Sequence, residues 1–284
     1  MNNPLASLYR TAKTYVSLPS KGMFYDDKVL TLSSLNGEIG IKPMTGHDEM
    51  MFKNPDALIN GQAMTTILMN CVDGLHDPKQ LVVNDVDAII VAIRIATYGD
   101  EMDIKVGCPS CKEESTYGLD LGSILANINY MEDVNTVDLS NGTIVYLKPQ
   151  TYNDTLKASL ATFEQTKTLR QMDSPDISEE DKLKMFSKAF DALLKANYEM
   201  VCNSIVRVTN EALGVDVTND ISNRRFVLDF LNEMEKTDAD LVNGKIKEMS
   251  SIGINKTTHI ICQKCAHEWD SPIEFDPVTF FSGS

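Results

Sequence analysis

The sequence predicts an α+β fold made by internal duplication, in which each half carries a β-hairpin, helices and a second hairpin with a Cys-x-x-Cys motif at its tip. Three observations point to it. The pattern Lys-Pro-x-Thr-x-x-Asp occurs twice, ending at Asp48 and at Asp154, each time behind an Asn-Gly pair and an alternating apolar run. Two Cys-x-x-Cys motifs, Cys108/Cys111 and Cys262/Cys265, have matching flanks at a constant offset. The signals keep the same order in both copies. This gives a first half over residues 22–128 and a second over 129–278, between an N-terminal arm (1–21) and a C-terminal tail (279–284).

In the arm, Leu5, Leu8, Tyr9 and Ala12 share one face of a short amphipathic helix within residues 4–16, which makes it a docking arm or a flexible tail. Leu18-Pro19 and Lys21-Gly22 then turn the chain into Met23, Phe24 and Tyr25, read as a strand entry packing on the core. The segments Leu30–Asp48 and Val137–Asp154 each predict a hairpin followed by a helix. Asn36-Gly37 and Asn141-Gly142 suit the positive φ of a tight turn, and Pro43 and Pro149 end the second strand. Thr45 with Asp48, and Thr151 with Asp154, fit the Thr-x-x-acid box that satisfies free amides at a helix start.

Val82–Arg94 and Asp216–Leu231 follow as capped helices, with Asn84-Asp85 and Asn219-Asp220 at the same place ahead of an apolar run. The second half is longer because of a helical insertion near residues 175–211. There Ser178 and Asp181 cap a long helix, and Leu183, Phe186, Phe190, Leu193, Leu194, Tyr198 and Val201 recur at helical spacing as a core stripe. Asn210, Gly214 and Val215-Asp216-Val217 form its exit. Ile104–Leu121 and Thr258–Phe275 are the matched hairpins, with apolar residues alternating on both sides of the cysteines so that one face is buried. Cys71 and Cys202 stand alone in apolar helical contexts and read as core residues.

A Cys-x-x-Cys turn brings two thiolates to one edge of a metal, and two such turns complete a tetrahedron with Zn–S distances of about 2.3 Å. Cys108, Cys111, Cys262 and Cys265 are therefore expected to hold one structural zinc per chain, shared between the halves. Closing so long a loop costs about 5 kcal/mol in chain entropy, whereas structural zinc yields apparent values of about 10–16 kcal/mol in small peptides. Redox chemistry wants a single motif at a helix start beside parallel strands, and here two motifs lie in hairpins. Unligated, buried cysteines are the remaining alternative. Four thiolates leave no open position, so the metal is expected to be structural and not catalytic. His267, close behind Cys265, is a substitute ligand or a surface histidine, and the second reading is preferred.

Hydrophobic residues make up 43% of the 284 and charged residues 24%, an ordinary globular balance, and no run approaches the roughly 20 apolar residues of a membrane span. The N-terminus lacks the apolar core and cleavage site of a signal peptide, so an intracellular, reducing setting is expected. A net charge of -15 opposes direct nucleic-acid binding, which rests on lysine and arginine displacing counterions, and favours protein partners. The sequence carries no nucleophile elbow, phosphate loop or dinucleotide fingerprint. His47-Asp48-Glu49, the tightest group of acid-base residues, falls in a helix cap. A non-enzymatic role is expected. The alternative is a zinc-ribbon adaptor of a nucleic-acid or transcription complex. Phe280-Phe281 is either the last core contact or an exposed anchor.

Leu18-Pro19-Ser20-Lys21-Gly22 with Phe24-Tyr25, then Lys42-Pro43-Met44-Thr45 with Asp48-Glu49, then Cys108-Pro109-Ser110-Cys111, taken in order, resemble the baseplate hub assembly proteins of T-even-type contractile-tailed bacteriophages. The resemblance covers mainly residues 18–125 and the terminal Cys-x-x-Cys segment. It implies a non-enzymatic role in building the central hub of the tail baseplate, as a chaperone that leaves or a subunit that stays. The implied partners are baseplate hub subunits and the tape measure protein, in a symmetric oligomeric assembly. The implied location is the host cytoplasm during assembly, and the virion tail for a subunit that stays. No catalytic residues carry over.

Overall fold

The computed structural model describes residues 5, 8–31, 38–171, 178–273 and 280–281. First come β1 (Thr14–Ser17) and β2 (Glu38–Ile41), then α1 (Gly46–Met51), α2 (Pro55–Ile59), α3 (Gln62–Cys71) and α4 (Val83–Tyr98). The hairpin of β3 (Glu101–Gly107) and β4 (Glu114–Asp120) leads into the short α5 (Leu121–Ala126). Next are β5 (Thr136–Asp138), β6 (Ile144–Leu147), α6 (Tyr152–Gln171), α7 (Glu179–Ser204), β7 (Ile205–Asn210) and β8 (Val215–Thr218). α8 (Arg224–Asn232), α9 (Lys236–Ser250) and the hairpin of β9 (Thr257–Ile261) and β10 (Glu268–Pro272) complete the order. The fold is α+β with small antiparallel sheets, among the described residues three two-stranded and one four-stranded in the order β5-β6-β7-β8. No helix among the described residues is long and apolar enough to cross a membrane.

The chain folds as two units, one of residues 1–131 with 252–284 and the other of residues 132–251. In the first, α4 is apolar nearly all round and is buried accordingly, with Ile89, Val91, Ala92 and Ile93 inaccessible to solvent. Its first turn carries two buried polar residues, and both are satisfied. Asp85 accepts from the Ser20 amide (2.8 Å), the Ser20 hydroxyl and the Tyr25 hydroxyl (2.6 Å), while Asn84 Nδ2 donates to the carbonyl of Ile252 (2.7 Å). Met23–Tyr25 is therefore a turn and not a strand entry: Lys21 and Gly22 take φ of 52° and 77°, which swings the Tyr25 hydroxyl back to accept from the Val82 amide.

The arm also differs from its expected form. Residues 10–13 have no regular structure, and Thr14–Ser17 is a strand paired with β2. Thr14 and Val16 are β-branched, and Val16 gains burial only as part of a sheet. β2 pairs with β1, and Leu30 makes an isolated bridge to Leu75; residues 32–37 of the expected first strand and turn lie outside the described residues. The Asn36-Gly37 turn and Phe275 lie outside the described residues.

In the second unit the four-stranded sheet packs against α8, α9 and the last turns of α7 around Leu139, Val145, Leu147, Cys202, Ile205 and Val208. Asn141-Gly142 makes the β5–β6 turn, with Gly142 at φ 77°. The long helix ends earlier than its exit signals suggest: Ile205–Asn210 is a β-branched strand, and Glu211–Gly214 turns it into β8. Of the stripe on α7 read as core, Val201 packs against this core, but most of the rest does not. Leu183 is 70% exposed, Phe186 and Phe190 52% each, and the face of α7 turned to α6 carries the small residues Ala189, Ala192 and Ala196 instead.

Each unit has the same local devices. The Lys42 amide donates to Cys71 in the first and the Lys148 amide to Ser204 in the second. Thr45 and Asp48 form a capping box on α1, with Asp48 accepting from Asn70 (2.7 Å); Thr151 and Asp154 cap α6, with Asp154 accepting from Asn203 (2.6 Å). Asp85, third residue of α4, grips Ser20, and Asp238, third residue of α9, grips Ser140 at amide and hydroxyl. The two units divide the chain differently from the repeat read in sequence, because residues 252–273 fold with the first unit.

Candidate metal centre

The β3–β4 and β9–β10 hairpins, both in the first unit, carry the cysteines in their turns. Each turn is closed the same way. The Cys108 amide donates to Glu113 and the Lys112 amide to Cys108; the Cys262 amide donates to His267 and the Ala266 amide to Cys262. The residue after each second cysteine, Lys112 or Ala266, takes the left-handed conformation at φ 62° or 56°. That twist curls the intervening amides toward the first sulfur, as a metal-binding knuckle requires.

The two knuckles meet sulfur to sulfur. Cys108 Sγ lies 3.7 Å from Cys265 Sγ, Cys111 Sγ lies 3.7 Å from Cys262 Sγ, and all four sulfurs lie within 4.8 Å of one another. A thiolate tetrahedron with bonds of about 2.3 Å has edges of about 3.8 Å. The four cysteines predicted from sequence are thus brought together and can hold a metal ion, with Cys108 and Cys262 buried, Cys111 half-buried and Cys265 exposed. Their acidities point the same way. Donation from the Cys265 and Lys264 amides pulls the Cys262 thiol down to about 6. Against the pull of the His267 amide, partial desolvation and the three facing sulfurs push Cys265 up to about 12. Cys262 ionises readily, and Cys265 beside it needs a cation to follow.

Other contacts brace the meeting of the hairpins and carry no sequence signature of their own. Tyr117 meets Trp269 edge to face at 6.4 Å, and Lys264 pairs with Glu113 at 2.6 Å. His267 stacks on Trp269 at 5.9 Å and stands apart from the sulfur cluster. The two lone cysteines are fully buried, and burial pushes the Cys71 thiol up to about 11.

The His47-Asp48-Glu49 group is taken up by structure. Burial would raise the Asp48 carboxyl, but donation from Thr45 and Asn70 and the charge of Arg10 hold it below the ordinary value. Arg10 reaches Asp48 at 3.2 Å and the carbonyl of Asn70 at 3.1 Å, a contact that no motif announced. Glu49 accepts from the Tyr98 hydroxyl at 2.7 Å.

No curated protein and no solved structure matches the chain. A family model described as T4 bacteriophage base plate protein matches residues 16–282, a span that runs from β1 through both knuckles to the buried Phe280-Phe281 pair. With nearly its whole length covered, the chain belongs to the T4 bacteriophage base plate protein family.

Proposed function

We propose that this baseplate protein is a component of the central hub or a chaperone of hub assembly, that it works through protein contacts without catalysing a reaction, and that a single structural zinc holds its two cysteine knuckles together. The observation that carries the reading is the closed set of four sulfurs in a chain of this family. A fourth thiolate takes the position that water or substrate would need, so the metal fastens chain segments. The partners on this reading are hub subunits and the tape measure protein, and a formal net charge of -15 suits protein partners better than nucleic acid. The setting is the host cytoplasm during assembly, followed by the virion tail for a retained subunit.

Tandem duplication is part of the same proposal. It is supported by the paired capping boxes with their asparagines, by the paired Asp–Ser grips, and by a knuckle hairpin following each helix that carries such an aspartate. The grips also revise the equivalence: Asp85 corresponds to Asp238 and not to Asp220, and β1 to β5.

Quantitative proteomics of purified virions against infected-cell lysate separates a retained subunit, present at fixed stoichiometry, from a departing chaperone found only in lysate. Failure of the tagged chain to capture any hub subunit or tape measure protein from lysate sinks the hub reading.

A further inference from the structure

We propose that α7 is a homodimerisation helix, and that its exposed apolar stripe pairs antiparallel with the same stripe on a second copy of this chain. This does not depend on the hub reading. The stripe consists of Leu183, Phe186, Phe190, Leu194 and Tyr198, each at least 41% exposed, with Phe186 and Phe190 stacked at 6.4 Å. At 3.6 residues per turn these five fall within an arc of about 120°. That arc lies opposite the alanine face that α7 turns to α6. Between Asp154 and Cys202, Ala189 is the one residue of known exposure on either helix that is buried. Two helices joined by an alanine seam leave these large side chains in water, an arrangement that calls for a further partner.

Three properties of the stripe select a second copy as that partner. The first is its order of side chains, Leu-Phe-Phe-Leu, which reads the same in both directions. An antiparallel two-fold axis near Lys188 sets Leu183 against Leu194 and Phe186 against Phe190 of the partner, and the reverse, as an isologous interface demands. The second is charge. On one flank of the stripe stand Glu180 and Lys184, already paired with each other at 2.7 Å, and then Asp191 and Lys195; the same axis sets Glu180 against Lys195 and Lys184 against Asp191, twice each, extending that pair into a network. Lys188 itself lies about 140° round the helix from Leu183, turned away from the pairing face. The third is area. Half-exposed aromatic and leucine side chains offer on the order of 500 Å² per chain, so the pair buries about 1,000 Å², the lower bound for a specific interface. Tyr198 ends the stripe at a cleft of about 570 Å³ between α7, α8 and α9, which gives the start of the partner's helix an apolar seat beside Met200, Leu231 and Met234.

Sedimentation equilibrium of the full chain tests this. The expected result is a monomer–dimer equilibrium in the micromolar range, weakened at least tenfold by Phe186→Glu with Phe190→Glu. Glu180→Lys should also weaken it, and adding Lys195→Glu should restore it, since that reverses both members of the pair. Circular dichroism of each variant checks that α7 is intact. In a chain with Phe186→Cys and Phe190→Cys, intermolecular disulfides between positions 186 and 190 are expected by peptide mapping. A wild-type chain monomeric at roughly 100 µM, a dimer untouched by the double glutamate variant, or disulfides joining like positions would each overturn the proposal.

Discussion

The carboxylate of Asp85 holds Ser20 at two points, Oδ1 accepting from the backbone amide and Oδ2 from the hydroxyl, in a site sealed from solvent. This fastens the start of the central helix to the loop behind β1. Burial pushes the Asp85 carboxyl up to about 6, against the opposing pull of the Ser20 and Tyr25 hydroxyls and the Ser20 amide. A raised folded value means that the native chain binds a proton the unfolded chain has lost between about pH 4 and 6, so this group's contribution favours folding at pH 4 and declines as pH rises. The expected swing is about 3 kcal/mol. Asp85→Asn removes it, so the stability of this variant relative to wild type should rise by that order between pH 4 and 7 in denaturant titrations. A constant difference across the range would refute the assignment.

Asp48 titrates in the opposite sense. Its folded value is lowered, so its contribution is fully present above the ordinary carboxylate value and is lost as pH falls through the folded one. Asp48→Ala should cost about 2–4 kcal/mol at neutral pH, because it removes half of the capping box, the acceptor of the Asn70 amide and the counter-charge of Arg10, which keeps carbonyl partners such as Asn70. Asp48→Asn, which keeps an acceptor for Thr45 but no charge for Arg10, should cost less. Chemical denaturation at pH 7 ranks the two, and equal costs would argue against the charge of Arg10 mattering.

The sulfur cluster predicts one zinc per chain by elemental analysis. Cys262→Ser alone should destabilise the knuckles about as much as the double change at Cys108 and Cys111, since either leaves an incomplete shell. Chelation of the wild-type protein should expose amides in β3, β4, β9 and β10 to hydrogen exchange and leave β5–β8 protected. Full zinc content in a chain with both Cys262 and Cys265 replaced would rule out the shared site.

The meeting of the four cysteines was legible from sequence because knuckle geometry is local: four spaced cysteines and alternating flanks fix both the turn and its buried face. The capping boxes at Thr45 and Thr151 were legible for the same reason. What failed were readings that needed to know what lies across from a residue. A stripe such as Leu183 to Tyr198 has the same periodicity whether its face meets core or solvent, and only the placement of α6 along Ala192 and Ala196 shows which. Leu5 to Tyr9 looked helical by spacing, yet the neighbouring Thr14–Ser17 is held by pairing with β2, a long-range contact that local pattern does not carry. Asp238 went unnoticed because its partner Ser140 stands far away in sequence.

The last open reading, the C-terminal aromatic pair, resolves as core, and it makes the final prediction. Phe280 and Phe281 are buried, Phe281 stacks on Phe52 at 5.0 Å, and the ends of both are held by α4. Arg94 donates to the Phe280 carbonyl at 2.6 Å with its guanidinium against the rings of Phe280 and Tyr98, and the Tyr98 hydroxyl shares its one proton between Glu49 (2.7 Å) and the Phe281 carbonyl (3.0 Å). Desolvation lowers the Arg94 pKa, as expected for a cation seated among rings and carbonyls; among the described residues no carboxylate forms an ion pair with it. Its attachment is therefore to the tail itself. Phe281→Ala should cost about 3–5 kcal/mol through the lost ring and the cavity beside Phe52. Arg94→Met, which keeps a long apolar stem and removes a buried charge, should cost less than Arg94→Ala. Ending the chain at residue 279 should strip protection from α1 and α4 in hydrogen exchange, because the Phe52 and Arg94 faces then meet water. Unchanged protection of α4 in that truncated chain would show that the aromatic pair fills space without holding the helix.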